Sequence, residues 1–307
     1  YLSVFTGYDW ERLDKVNEDV IKDFLTHVKE VIARGEDVVY EYLLNWFSFI
    51  LQNPGDKTEV ALVITGKEGS GKNVFTDVLS KLLGRYANPN LTNINHIVGN
   101  FNTAIEDKKL IVCNELSSAD TNKYLNSDTL KAVITERKVN IEAKGVDARL
   151  RENVVNLILV SNHFGPIKIT ANDRRYLIIE TSNKRCKDFQ YFKTLTAGFN
   201  KDFYNHLFTF FMNRDISDFN PRNIPDTVER QDLIETNKTS YEMFYEENED
   251  QFKEGWPTNH CYYEYARWAK DHGFAVCAAN TFGGKMREWV ERKRCRSEGE
   301  RYYVYVK

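Results

Sequence analysis

Apolar residues recur three and four places apart from about residue 16 to residue 51: Val20, Ile21, Phe24, Leu25, Val28, Val31 and Ile32, then Tyr40, Leu43, Leu44, Phe47, Ile50 and Leu51. This spacing predicts two or more amphipathic helices, with a break at Arg34-Gly35-Glu36. A turn signal, Asn53-Pro54-Gly55-Asp56, comes next, and the unbroken apolar run at 60–64 predicts a buried strand. Short β-type runs return at 110–113, 154–160 and 176–179, separated by helical stretches such as 73–83 and 127–136. Strands alternating with helices predict an α/β domain with a mainly parallel sheet, placed at 56–182.

Beyond that core, 189–212 is helical and strongly aromatic, while 218–225 carries two prolines and reads as a connector. The acidic run Glu246-Glu247-Asn248-Glu249-Asp250 reads as a solvated helix face or linker. The last segment has a helical pattern at Tyr262, Tyr263, Tyr265, Ala266, Trp268 and Ala269, another at 282–290, and a closing strand pair around 296–306. That order suits a winged helix. The expected organisation is a helical region at 1–55, the core at 56–182, a helical linker or lid at 183–245 and a winged-helix-like domain at 246–307.

Composition narrows the class. A chain of 307 residues exceeds the usual size of one domain, and 42% hydrophobic with 13% aromatic residues is enough for a sizeable core, which excludes wholesale disorder. No apolar run reaches about 18 residues, and the first residues lack a basic stretch followed by an apolar one, so neither a membrane span nor a secretory leader is expected. The missing initiator Met points to a fragment of a longer chain with an upstream domain. Five scattered cysteines, Cys113, Cys186, Cys261, Cys277 and Cys295, show no Cys-x-x-Cys pair, which argues for a reducing, intracellular setting and against a disulfide framework or zinc site. The formal net charge of −3 leaves any nucleic-acid surface to local clusters of basic residues.

The candidate chemistry centres on Gly66-Lys67-Glu68-Gly69-Ser70-Gly71-Lys72-Asn73, which leaves the 60–64 strand and opens a helix. In that context backbone N–H groups of the glycine-rich turn and the helix N-terminus hold phosphates, and Lys72 neutralises the β and γ oxygens of ATP. Asn73 stands where a Ser or Thr is expected to meet magnesium. The 110–113 strand ends in Asn114-Glu115, where such ATPases carry two acids. Glu115 is placed to activate the attacking water, whereas Asn114 brings no charge to the metal side. The expected metal set is Asn73, Asn114 and Glu115, directly or through water.

Further along, the 154–160 strand ends in Ser161-Asn162, a polar pair able to sense the γ-phosphate, though strand-end Ser-Asn pairs are also common turn formers. Asp173-Arg174-Arg175 precedes the 176–179 strand, and either arginine could stabilise phosphoryl-transfer charge from a neighbouring subunit. Residues 138–147 read as a strand running into a hairpin, with Lys138 at its start and Lys144-Gly145 at its tip, a position from which lysine reaches a phosphate backbone. Near the C-terminus Lys285, Arg287, Arg292, Lys293, Arg294 and Arg296 concentrate positive charge beside Trp289, Tyr302 and Tyr303.

The order of the 66–73 loop, Asn114-Glu115, the Lys131 and Lys144 region, Ser161-Asn162 and Arg174-Arg175 resembles superfamily 3 helicases, an AAA+ group of viruses, phages and plasmids. It looks closest to the motor regions of phage primase-helicases or primase-polymerases and of the poxvirus primase-helicase. Tyr42-Leu43-Leu44-Asn45-Trp46, Gln52-Asn53-Pro54 and Asn100-Phe101-Asn102 add to the likeness. The resemblance implies an AAA+ P-loop core behind a helical collar, forming a homo-hexamer around single-stranded DNA. It implies ATP and Mg2+ at subunit interfaces, and an upstream primase or polymerase domain. In it Gly66, Glu68, Gly69, Ser70, Gly71, Lys72 and Asn73 bind nucleotide, Glu115 is the hydrolytic base, Asn162 the sensor, and Arg175 or Arg174 the finger. Lys144, with Lys138 on the same hairpin, contacts DNA, while Arg292, Lys293 and Arg294 of the winged-helix appendage bind DNA phosphates or serve a protein contact.

Three functions are compatible with these residues. One is an ATP-dependent DNA translocase or helicase. Another is a DNA-binding assembly module whose nucleotide site is structural, with Asn73 and Asn114 marking lost catalysis. The third is a small-molecule P-loop kinase, against which the sensor and finger pattern argues.

Overall fold

Residues 5–114, 128–162, 167, 169–170, 172–297 and 300–307 are described by the computed structural model of the chain. The amino-terminal periodicity folds as α1 (Glu18–His27) and α2 (Asp37–Gln52), joined through a π-helical turn at Val28–Ile32. Asn17 caps α1 by accepting the Asp19 N–H. The break before α2 falls at Arg34 and Gly35, whose φ angles are 53° and 85°.

The next elements are β1 (Ala61–Thr65), α3 (Lys72–Leu83), β2 (Ala87–Leu91), α4 (Asn95–Val98), β3 (Leu110–Cys113), α5 (Asp128–Thr135), β4 (Lys138–Ala143), β5 (Val146–Glu152), β6 (Asn156–Val160) and β7 (Tyr176–Glu180). Five of these strands form one sheet in the order β2-β3-β6-β1-β7, every pair parallel. A parallel sheet is covered on both faces, so its inner strands read as continuous apolar runs rather than alternating ones. On one face Leu62, Ile64, Leu110, Val112, Ile158, Val160, Leu177 and Ile179 pack with α1, α2 and α3. The opposite residues, Ala61, Val63, Ile111, Cys113, Leu157, Leu159, Tyr176 and Ile178, pack with Ile97 of α4 and Leu130, Val133 and Ile134 of α5. The edge strand β2 reads Ala-Asn-Pro-Asn-Leu and was not legible as a strand. Only an edge position tolerates Pro89, and the ladder to β3 is irregular between Asn88 and Leu91.

The aromatic stretch expected as one helix is two, α6 (Phe189–Ala197) and α7 (Lys201–Asn213). Asn200 caps α7 by accepting the Phe203 N–H. Phe203, Leu207, Phe208 and Phe211 of α7 enter the same core as α1, α2 and the sheet. Neither the amino-terminal helices nor α7 stands apart from the sheet: residues 1–234 form one compact unit.

The second unit is residues 235–307. After α8 (Val228–Asn237), which runs across the division, come α9 (Ser240–Glu247), α10 (Glu249–Glu254), β8 (Trp256–Pro257), α11 (Thr258–Asp271), α12 (Ala279–Met286), β9 (Glu291–Ser297) and β10 (Glu300–Val306). The three strands form an antiparallel sheet in the order β8-β10-β9. This unit begins earlier than the expected boundary at 246. The reason is Phe244 of α9, which is buried against Tyr265 and Phe282 with ring centroids 5.6 and 6.1 Å away. The acidic run at 246–250 lies at the α9–α10 junction.

Candidate functional site

The glycine-rich loop leaves the carboxyl end of β1 and enters α3. Its turn depends on Gly66, Gly69 and Gly71, whose φ angles of 141°, 75° and 96° lie where side chains are strained. The loop is also pressed from behind. A Cβ on Gly66 would sit 2.1 Å from Thr181 Oγ1, and one on Gly71 would sit 2.6 Å from the His27 ring and 2.7 Å from that of Phe192. The Thr181 hydroxyl donates to Ser70 Oγ at 2.8 Å, and the Lys187 N–H to the Gly69 carbonyl at 3.1 Å.

Lys72 Nζ donates to the carbonyls of Gly66 (2.6 Å) and Lys67 (2.9 Å), which holds the ammonium over the loop. Burial pushes its pKa below the ordinary lysine value, opposed by the nearby Cys186 and Glu68. The first turn of α3 contains no acid. Its free N–H groups and dipole are therefore left to favour an anion beside Lys72.

Behind the loop stands His27, fully buried, its ring 3.2 Å from the Gly71 carbonyl through Nε2 and 3.1 Å from the Tyr191 hydroxyl through Nδ1. A carbonyl only accepts, so Nε2 carries the proton and Nδ1 accepts from tyrosine. Desolvation holds this neutral imidazole at a pKa of about 4.

A cleft of about 1000 Å³ opens at the carboxyl ends of the strands, lined by the loop, Asn73, Asp77, Asn114, Asn162, Lys187 and Phe189. The chain leaves β1 toward one edge of the sheet and leaves β6 toward the other, the kind of reversal at which open α/β sheets bind ligands. Asn114 follows β3; its amide nitrogen donates to Asn90 Oδ1 at 3.1 Å, while its buried Oδ1 has no hydrogen-bond partner among the described residues. That oxygen suits a metal-bound water or cation. Asp77 lies one turn beyond Asn73 on α3, exposed in the same cleft, with its pKa raised by desolvation. Sequence reasoning missed it. The four-residue spacing from Asn73, which puts both on one helix face, could have found it. Asn162 is exposed at the end of β6. Glu115, expected as base and metal ligand, lies outside the described residues.

Arg174 and Arg175 precede β7, where Tyr176 pairs with Ala61 at the amino end of β1. Within one chain they are thus at the end of the sheet opposite the loop. Arg175 is half-buried and bonded to Asp173 at 3.2 Å, whereas Arg174 is exposed. The β4–β5 hairpin projects its exposed tip at Lys144, with Gly145 at φ 77°, and Lys138 is exposed at its base. Glu106 anchors the hairpin by accepting from Arg149 at 2.6 and 2.7 Å and from Arg151 at 3.2 Å. In the second unit Arg292, Lys293 and Arg294 are exposed along β9, and the Arg292 guanidinium lies 3.9 Å from the centre of the Tyr303 ring. Among the described residues no His, Cys, Asp and Glu cluster could hold a metal by itself, and no helix is long and apolar enough to cross a membrane.

The chain is similar to a phage DNA primase-polymerase. Over 187 residues, 60% of this chain, it is 29% identical to the "DNA Primase-polymerase" of Nitratiruptor phage NrS-1, and the match spans 25% of that relative's length. Residues 64–175, from the end of β1 to the start of β7, match a "Family of unknown function (DUF5906)". The fold is shared with the apo C-terminal region (305–718) of NrS-1, at a TM-score of 0.70 and 17% identity, covering 97% of this chain and 77% of that structure. An A-form apo structure of the same region gives 0.67 at 18% identity, again with 97% and 77% covered. The homology supports a phage replication protein.

Proposed function

We propose that residues 1–234 are the ATP-driven motor of a phage DNA replication protein, an AAA+ unit of superfamily 3 type that works as a ring on single-stranded DNA inside the host cell. The observation that carries this reading is the convergence of the phosphate-type loop, Asn114 and Asn162 on one cleft at the carboxyl ends of β1, β3 and β6. ATP would lie with its phosphates on the loop N–H groups and on Lys72. Mg2+, when bound, would supply positive charge that offsets the charge of the triphosphate. Asn73, Asn114 and Asp77 would hold the metal's water shell, Asn162 would position the terminal phosphate, and Glu115 would take the proton of the attacking water.

Arg174, exposed and free of the Asp173 pairing that ties Arg175, is the better candidate to reach a neighbouring subunit's nucleotide. Lys144 at the hairpin tip, with Lys138 behind it, would follow the DNA backbone. The second unit, with its helices, terminal hairpin and basic β9, would act as a winged helix in which Arg292, Lys293 and Arg294 meet phosphates. A primase-polymerase domain in the same full-length chain is proposed from the relative's name and from the 25% of its length that matches.

The experiment is ATP hydrolysis with and without single-stranded DNA, beside a Lys72→Ala variant. DNA-stimulated turnover lost in the variant is expected; equal rates in both proteins would end the motor reading. The neutral amides at Asn73 and Asn114 favour a second reading, an assembly module that binds nucleotide without turning it over. On the motor reading Asn114→Asp raises Mg2+-dependent turnover by about tenfold, worth roughly 1.4 kcal/mol in the barrier. An unmeasurable rate in both proteins, with a ring or DNA complex that forms equally well without nucleotide, would favour the module.

A further inference from the structure

We propose that Phe189, the first residue of α6, is the platform on which the base of the bound nucleotide stacks. This rests on the nucleotide reading of the cleft. Phe189 is 81% exposed, a whole aromatic side chain in the wall of the cleft that the phosphate-type loop also lines. Its neighbour on the helix, Phe192, turns inward against Gly71 and is half-buried.

The backbone that carries the ring is also held in place. The Lys187 N–H donates to the Gly69 carbonyl at 3.1 Å, the Phe189 N–H to the Lys187 carbonyl at 3.0 Å, and Cys186 Sγ to the Glu68 carbonyl at 3.1 Å. Asp188 caps α6 by accepting the Tyr191 N–H at 3.0 Å and pairs with Arg185 at 3.1 Å. Lys187 itself takes a φ of 62°, a conformation that a lysine adopts only where its surroundings impose it. The segment after β7 is thus bent back and bonded to the loop, and it carries an aromatic side chain in the wall of the cleft that the loop lines.

A cavity of about 1000 Å³ exceeds what a triphosphate fills and is at the upper end for a whole small ligand. The planar, apolar part of that ligand is its base, and every base offers a π-face to an aromatic ring. Lys187, exposed in the same cleft and packed against Gly69, brings a second positive charge beside the phosphate-type loop.

The test compares ATP with inorganic tripolyphosphate, both with Mg2+, by titration calorimetry on the 307-residue chain. Phe189→Ala should weaken ATP about tenfold while leaving tripolyphosphate within about twofold, because stacking is lost and the phosphate cradle is not. Phe189→Trp should keep the affinity for ATP. Lys72→Ala should weaken both ligands together. Equal losses for ATP and tripolyphosphate, or none for either, in Phe189→Ala would overturn the stacking role. So would a variant whose oligomeric state changes while its ratio of ATP to tripolyphosphate affinity does not, since Phe189 would then face another subunit. Wild-type protein that binds tripolyphosphate but gains nothing from the nucleoside sinks this inference alone; protein that binds neither sinks the nucleotide reading with it.

Discussion

Acidification from pH 7 to pH 4 should destabilise this protein through His27, and the size of the effect follows from where that ring lies. The imidazole is buried at the back of the phosphate-type loop, with Nε2–H donating to the Gly71 carbonyl and Nδ1 accepting from Tyr191. Burial lowers its pKa from the ordinary 6.5 to about 4. Above pH 6.5 the ring is neutral folded or unfolded and has no effect on pH dependence. Between pH 6.5 and 4 the unfolded chain takes up a proton that the folded chain refuses, so stability falls as pH falls. At about 1.4 kcal/mol per pH unit the full loss is about 3 kcal/mol, reached near pH 4.

Urea denaturation of the wild type and of His27→Gln, at half-unit steps between pH 7 and pH 4, isolates this contribution. Carboxylates such as Glu30 and Glu106, whose pKa values are lowered by Lys184 and by Arg149, also lose stability in acid, but in both proteins alike. The difference between the curves should therefore shrink by about 3 kcal/mol toward pH 4. Parallel curves would refute the reasoning, because they would mean that the ring titrates equally in the two states.

Gly66→Ala should destabilise the first unit by about 2–4 kcal/mol, read as a drop in thermal midpoint, since the new methyl meets Thr181 Oγ1 and the φ of 141° is one that alanine rarely adopts. Thr181→Ala in the same chain should recover only part of that loss, the strained φ remaining. Glu106→Gln should raise amide exchange across 138–152 with little change in thermal midpoint, because it cuts the hairpin's anchor to Arg149 and Arg151 at the surface. Lys57 and Lys109 are buried as donors to main-chain carbonyls, and desolvation lowers both from 10.5 to about 7. The unfolded chain then holds more protons between pH 7 and pH 9, so stability should rise over that interval by about 2 kcal/mol for each of the two lysines. Lys57→Met should diminish the rise, and a wild type equally stable at both pH values would contradict the burial argument.

Much of this molecule was readable in one dimension because its determinants are local. Strands β1, β3, β6 and β7 pack apolar residues on both faces, and such strands read as near-continuous apolar runs, broken here only at the strand ends by Thr65, Asn156 and Glu180. The loop was legible for a similar reason, since its path needs glycine at 66, 69 and 71 whatever surrounds it. Strand β2 was hidden by its edge position, where Asn88, Pro89 and Asn90 meet solvent. The split between α6 and α7 was hidden as well, because aromatic residues continue through the break at Gly198 and Asn200.

The amino-acid sequence by itself determined the kind of site this is: a phosphate-type loop between a buried strand and a helix, with amides where acids are usual at positions 73 and 114. Tertiary structure alone decided what surrounds it. His27 comes from α1, Thr181, Lys187 and Phe189 from beyond β7, and Asn114 from the end of β3, and no spacing along the chain ties them together. They meet because a parallel sheet needs long crossovers that bring the carboxyl ends of sequence-distant strands to one end of the sheet. The physical distinction is between periodicity, which each segment carries in its own residues, and juxtaposition, which exists only once the sheet order β2-β3-β6-β1-β7 has formed.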